Sequence, residues 1–241
     1  MDDAAVPALV TLTIWGVGRA RVPAALARMA LDRRHLHRTG GLRFAKLLGT
    51  GDGRTFTPRD ADPRHWGLLA VWDDEAAAIA FETGPTARAW RRLSTERLDV
   101  RMGPLTSRGS WSGRTPFGAP VPRRVNGPVA AITRARIRLG RSRAFRSAVP
   151  AVSADLHTVD GLRLAVGIGE APIGLQGTFS LWDGAAPLVE FAHRRAAHRE
   201  VIARTASEQW YAEELFARFE VLSVQGTFHN RHPFGHRPEP A

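Results

Sequence analysis

The segment 191–202, FAHRRAAHREVI, carries a ligand-capable side chain on an apolar stripe. His198 stands seven residues after Phe191 and four before Ile202, so a helical repeat brings all three onto one face. Leu188, ten residues back, extends the stripe within about 80°. An imidazole offered to a sheet from such a face has the chemistry of an axial ligand to haem iron. The same placement also suits a buried histidine satisfied by a backbone carbonyl. His193 points about 140° away, beside Glu190 and Glu200, and reads as a surface residue.

Other side chains narrow the chemistry mainly by exclusion. The chain has no cysteine, which removes disulfides, thiolate zinc sites, iron–sulfur clusters and thiolate-ligated haem. Gly16-Val17-Gly18 opens like a dinucleotide fingerprint, but Arg21 holds the place of its last glycine. Gly49-Thr50-Gly51 with Gly53 lacks the Lys-Ser/Thr pair of a phosphate loop and reads as a hairpin turn. His229, His232 and His236 lie in a tail without a neighbouring carboxylate, so no functional metal site is expected there. Glu208, Glu213 and Glu214, near Trp210-Tyr211, read as helical surface charge, with one carboxylate available to orient a ligand.

The net charge of +11 raises nucleic acid as a partner. Lys46 is the only lysine among 34 basic residues, and the arginines are dispersed with no basic stripe or aromatic RNA-binding motif. Nucleic acid is therefore not an expected partner, whereas peripheral contact with an anionic membrane surface stays compatible with the charge. The start, MDDAAVPALV, lacks the basic and apolar parts of a secretory signal, and no apolar run nears the ~20 residues of a membrane span. A cytoplasmic location is the expectation.

The elements that must position these residues occur twice. GLRFAKLLGTG from Gly41 returns as GLRLAVGIGEA from Gly161 at an offset of 120, and Trp72-Asp73 with Phe81 return as Trp182-Asp183 with Phe191 at an offset of 110. Each copy reads strand–helix–strand–strand–helix–strand. In the first, strands over 8–15, 42–48, 66–72 and 98–102 accompany a helix over 22–38, one capped by Asp73-Asp74, and one after Pro85. In the second, strands over 128–137, 162–168, 174–182 and within 216–224 accompany helices over 141–149 and 185–204. The fold class is α+β, with two tandem ferredoxin-like units, 8–103 and 128–228, closing into a dimeric-α/β-barrel-type fold within one chain. The connector 104–127 holds Trp111 and Phe117 and is expected to pack; the tail 229–241 is expected to be flexible. His198 has Arg88 as its counterpart at offset 110, so the ligand-capable group belongs to one copy alone.

FAKLLGTG from Phe44, HWGLLAVWDD from His65, TSRGSWSGRTPF from Thr106, TFSLWD from Thr178 and WYAEELFARFEVL from Trp210 resemble the spheroidene monooxygenase (acyclic carotenoid 2-ketolase) family, in the family's order and over nearly the whole chain. The resemblance implies a cofactor, haem b, with molecular oxygen as co-substrate, and a fold shared with chlorite dismutases, dye-decolourising peroxidases and aldoxime dehydratases. It makes His198 the axial iron ligand. It makes Lys46, Arg43, Arg108 and Arg114 the candidates for holding haem propionates, and Trp111 and Phe117 the candidates for lining the substrate pocket. The implied activity is hydroxylation of a hydrophobic small molecule leading to a ketone. Three alternatives stay open: haem chemistry without oxygen, such as aldoxime dehydration or N–O rearrangement; haem carriage without catalysis; and a cofactor-free barrel. The electron donor, and whether the duplicated chain pairs again as a homodimer, are not legible.

Overall fold

The computed structural model describes residues 5–54, 58–138, 153–170, 177–194 and 211–235. The helix expected over 141–149 and the iron-ligand candidate His198 lie outside them. The strands are β1 Leu9–Val17, β2 Leu42–Gly51, β3 Ala61–Trp72, β4 Ser94–Gly109, β5 Val129–Ile137, β6 Leu162–Gly169, β7 Gly177–Trp182 and β8 Tyr211–Gly226. Among the described residues the helices are α1 Val22–Leu36, α2 Glu75–Glu82, α3 Pro85–Leu93 and α4 Ala185–Arg194, with a further helical turn over 153–156. Asp74 caps α2 by accepting from the Ala77 amide at 2.7 Å, and Pro85 opens α3, as their positions predict.

The strands close into an antiparallel barrel in the order β1-β3-β2-β6-β7-β5-β8-β4. Cut at the β2–β6 and β4–β8 seams, it yields two half-sheets, β4-β1-β3-β2 and β8-β5-β7-β6, each with ferredoxin-like order. The register repeats with the sequence. Leu9 faces Trp72 as Val129 faces Trp182, and the bulge at Leu42/Phe44 recurs at Leu162/Leu164.

Alternation sends one residue set inward from every strand, and these meet in a single core that includes Leu12, Ile14, Leu69, Val100, Ile132, Phe179 and Phe219. The opposite set packs under helices. In the first half, Trp15, Leu47, Trp66 and Leu68 meet Met29 and Leu36 of α1 and Trp90 of α3. In the second half, Val129, Ala131 and Trp182 meet Leu188 and Phe191 of α4.

Three segments depart from expectation. The strand expected over 98–102 runs through Gly109, and β2 runs through Gly51, where a turn was expected. The tail expected to be flexible instead forms, over 227–235, the same hairpin that the connector forms over 110–118. Trp111 and Arg114 exchange backbone hydrogen bonds, as do Phe228 and Arg231. Ser112 and Gly113 (φ 57° and 70°) match His229 and Asn230 (φ 52° and 60°), the left-handed pair of a type I′ turn. GSWSGRTPFG and GTFHNRHPFG are thus a third repeated block, at an offset of 117. Because β4 and β8 run antiparallel, the two hairpins close opposite mouths of the barrel.

Candidate functional site

The halves share a backbone plan but differ on their outer faces. Across the second half-sheet one cross-strand row reads Arg108, Phe216, Thr133, Thr178, Gly167. Its counterpart in the first half reads Gln225, Asp99, Thr13, Leu68, Leu47. One step along β1, Trp15 is matched by Ala135 in β5. Trp15 stacks on Trp90 with ring centroids 4.8 Å apart and fills the space beneath α3. Where the first half presents Trp15, Leu47 and Leu68, the second presents Ala135, Gly167 and Thr178. Thr133 is exposed although its counterpart Thr13 is buried. Three large side chains are therefore missing from one sheet face, at the layer where a helix packs in its twin.

Arg108 lies at the rim of that face. Its guanidinium covers the Phe216 ring at 5.1 Å, and Glu214 is 3.7 Å away, yet the side chain is 76% exposed. Of the four basic residues singled out from the sequence, Arg108 borders the emptied face. The other three belong to β2 and the first hairpin. Arg43 pairs with Asp73, and Arg114 donates to the Arg43 carbonyl at 3.1 Å. Lys46 donates to Glu170 and to Ser112, each at 2.6 Å.

Lys46 belongs to a network that seats the first hairpin in its barrel mouth. Trp111, 1% exposed, donates from its indole to Glu170 at 2.6 Å. Arg134, inside the barrel on β5, donates to Glu170 at 2.9 Å, pairs with Glu213, and covers the Trp111 ring at 5.4 Å. Glu213 accepts from the Gly113 amide at 2.7 Å and the Ser110 hydroxyl at 3.0 Å. Burial pushes the Glu213 carboxyl up, but the Gly113 amide and Arg134 prevail and bring it down to about 2. Burial likewise opposes ionisation of Glu170, and hydrogen bonds from Lys46 and Trp111 overcome it and lower its pKa. Phe117 meets Phe219 edge-on at 4.8 Å. Both proposed pocket aromatics thus fill the barrel core.

The second hairpin repeats this seat with other chemistry. Glu96, the counterpart of Glu213, accepts from the Asn230 amide and from the Thr227 hydroxyl at 2.8 Å. The place of Arg134 is taken by Ile14, and His65 supplies the polar contact, its Nε2 2.9 Å from Glu96 and its Nδ1 2.6 Å from Asp62. Sequence reasoning passed over Arg134, Glu170, Asp62, His65 and Glu96. The signal that could have found the two seats is the third repeat block, whose serine and threonine precede the inserted aromatic.

A spheroidene monooxygenase of Rhodobacter capsulatus is 35% identical over 222 residues, covering 90% of each chain. The chain belongs to the spheroidene monooxygenase family. The family member from Rubrivivax gelatinosus is 41% identical over 193 residues, covering 79% of this chain and 73% of the relative. As a member of this family the protein is an enzyme, an oxidoreductase of monooxygenase type. No family model matches the chain. Among solved structures, an aldoxime dehydratase superposes with a TM-score of 0.59 at 12% identity, covering 93% of this chain and 85% of that one, and shares the fold. Among the described residues of this family member, no helix is long and apolar enough to cross a membrane.

Proposed function

We propose that this monooxygenase holds haem b against the outer face of its second half-sheet and acts on a long apolar polyene. The observation that carries the reading is the replacement of Trp15, Leu47 and Leu68 by Ala135, Gly167 and Thr178. It removes bulk from one half alone, and the one ligand-capable histidine of the repeated helix stripe, His198, belongs to that same half. Leu188 and Phe191, the described members of the stripe, are buried against Trp182, which supports reading this stripe as the sheet-facing one.

Haem, when bound, supplies the activation of molecular oxygen that monooxygenation requires. His198 would hold the iron through a neutral imidazole. Arg108 would pair with a propionate, its planar fork matching a carboxylate. Small side chains on β5, β6 and β7 would exclude water from the macrocycle while leaving it room. Putting one oxygen atom into a C–H bond, with the other leaving as water, takes two electrons and two protons from a donor. A second round at the same carbon, followed by loss of water, gives a ketone. A histidine ligand gives less electron push than a thiolate, which favours a weakened allylic C–H bond as target. The names of the relatives, spheroidene monooxygenases, support an acyclic carotenoid.

The test is the absorption spectrum of protein from haem-supplemented cells beside His198→Ala, followed by assay with oxygen, reductant and an acyclic carotenoid. A stoichiometric Soret band that shifts or collapses in the variant, with an oxygen-dependent ketone product, is expected. Wild type without a Soret band would sink the haem reading; a band unmoved by His198→Ala would sink the ligand assignment.

A further inference from the structure

The mouth of the barrel closed by the second hairpin gathers three ligand-capable atoms from distant parts of the chain. His65 Nδ1 lies 2.6 Å from Asp62 Oδ2, and His229 Nε2 lies 3.6 Å from the same oxygen. All three lie within 4.8 Å of one another. Bonds of about 2.0–2.2 Å around a tetrahedral ion place ligand atoms roughly 3.3 Å apart, so small side-chain rotations bring the trio into range. The remaining His65 nitrogen, Nε2, is 2.9 Å from Glu96. A carboxylate behind a histidine is the arrangement that fixes a metal ligand's tautomer and ring orientation.

Comparison with the other mouth supplies an independent argument. There the homologous turn residue is Ser112, and the homologous carboxylate, Glu213, is neutralised by Arg134, a permanent cation. In this mouth Ile14 replaces that arginine, and two imidazoles gather beside Asp62 and Glu96 instead. His229 holds the left-handed turn position, φ 52°, that Ser112 holds in the other hairpin at φ 57°. The turn holds the His229 ring 4.5 Å from that of His65 and within reach of the Asp62 carboxylate. Hairpin closure alone does not require it, since Ser112 serves the same turn in the other copy.

We propose that Asp62, His65 and His229 form a binding site for a divalent first-row transition ion such as Zn²⁺, Co²⁺ or Fe²⁺, with Glu96 orienting His65. The ion takes the place of the proton between His65 and Asp62. Two imidazoles and one carboxylate suit ions of borderline softness and leave coordination positions for water or a small ligand. His229 also borders a groove of about 480 Å³, lined among others by His157, Arg231 and His232, from which such a ligand could approach. The site joins β3 of the first half to the hairpin that follows β8, and it does not depend on the haem reading.

Full-length protein, stripped of loosely held ions with a chelator that leaves haem iron in place, is titrated with Co²⁺ in difference absorption and then with Zn²⁺ in competition. One Co²⁺ per chain, displaced by Zn²⁺, is expected. His229→Asn keeps the left-handed turn and should weaken Co²⁺ binding at least about 100-fold, and Glu96→Gln about 10–100-fold. His236→Ala should leave the affinity unchanged. The absence of saturable Co²⁺ binding overturns the proposal, as does binding that survives His229→Asn or is lost with His236→Ala.

Discussion

Glu213 illustrates how one carboxylate can carry a whole contact. It is 8% exposed, it caps the turn of the first hairpin, and it neutralises Arg134 inside the barrel. Removing one partner of a buried pair strands the other charge, so Glu213→Gln should cost about 3 kcal/mol in urea unfolding. The pH dependence has a definite sign. The folded carboxyl titrates at about 2, below its ordinary value near 4.3, so its stabilisation is complete above pH ~4.3 and is lost as pH falls toward 2. Unfolding midpoints of wild type and Glu213→Gln should therefore converge over that window, and parallel curves would refute the assignment. Arg108 makes the contrasting case. It is 76% exposed, so Arg108→Ala should change stability by less than about 0.5 kcal/mol while weakening haem binding measured by titration.

Among the elements, the two hairpins and the emptied sheet face hold most of the information. Each hairpin leaves its strand through a left-handed glycine pressed against the partner strand. A Cβ at Gly109 would stand 2.1 Å from the Glu214 carbonyl oxygen, and one at Gly226 would stand 2.0 Å from that of Arg97. Gly109→Ala and Gly226→Ala should each destabilise by at least about 2 kcal/mol, as read from urea midpoints, because both the φ and the contact forbid a side chain. The emptied face can be refilled. Gly167→Leu combined with Thr178→Leu rebuilds the Leu47 and Leu68 positions of the other half. The double variant should keep its far-ultraviolet circular dichroism and lose the Soret band; a variant that still binds haem stoichiometrically would show that the cofactor lies elsewhere.

At the scale of the molecule, closure removes every sheet edge, and each half supplies the hairpin that seals a mouth of the barrel. The long β4–β8 seam pairs Leu98 with Gly226 at one end and Gly109 with Leu215 at the other, tying the halves along their full height. With one shared interior, neither half retains its packing when the other is lost. Urea unfolding should therefore be a single transition, with tryptophan fluorescence and circular dichroism coinciding. Separate transitions would mean that the halves are independent domains.

The duplication, the order of elements in the first copy, the strand order of the second and the Asp74 cap were legible in the sequence, because periodicity and capping depend on residues only a few positions apart. That Leu188 and Phe191 share a buried face was legible for the same reason, whereas His198 lies outside the described residues. The family was readable from contiguous blocks. Tertiary structure alone brought Asp62 and His65 beside His229, aligned Arg108 with Phe216, Thr133, Thr178 and Gly167, and seated Trp111 against Arg134 and Glu170. Alternation tells which side of a strand a residue faces, but not which residue of another strand lies beside it. That depends on register, which bulges and barrel closure set over separations of a hundred residues or more.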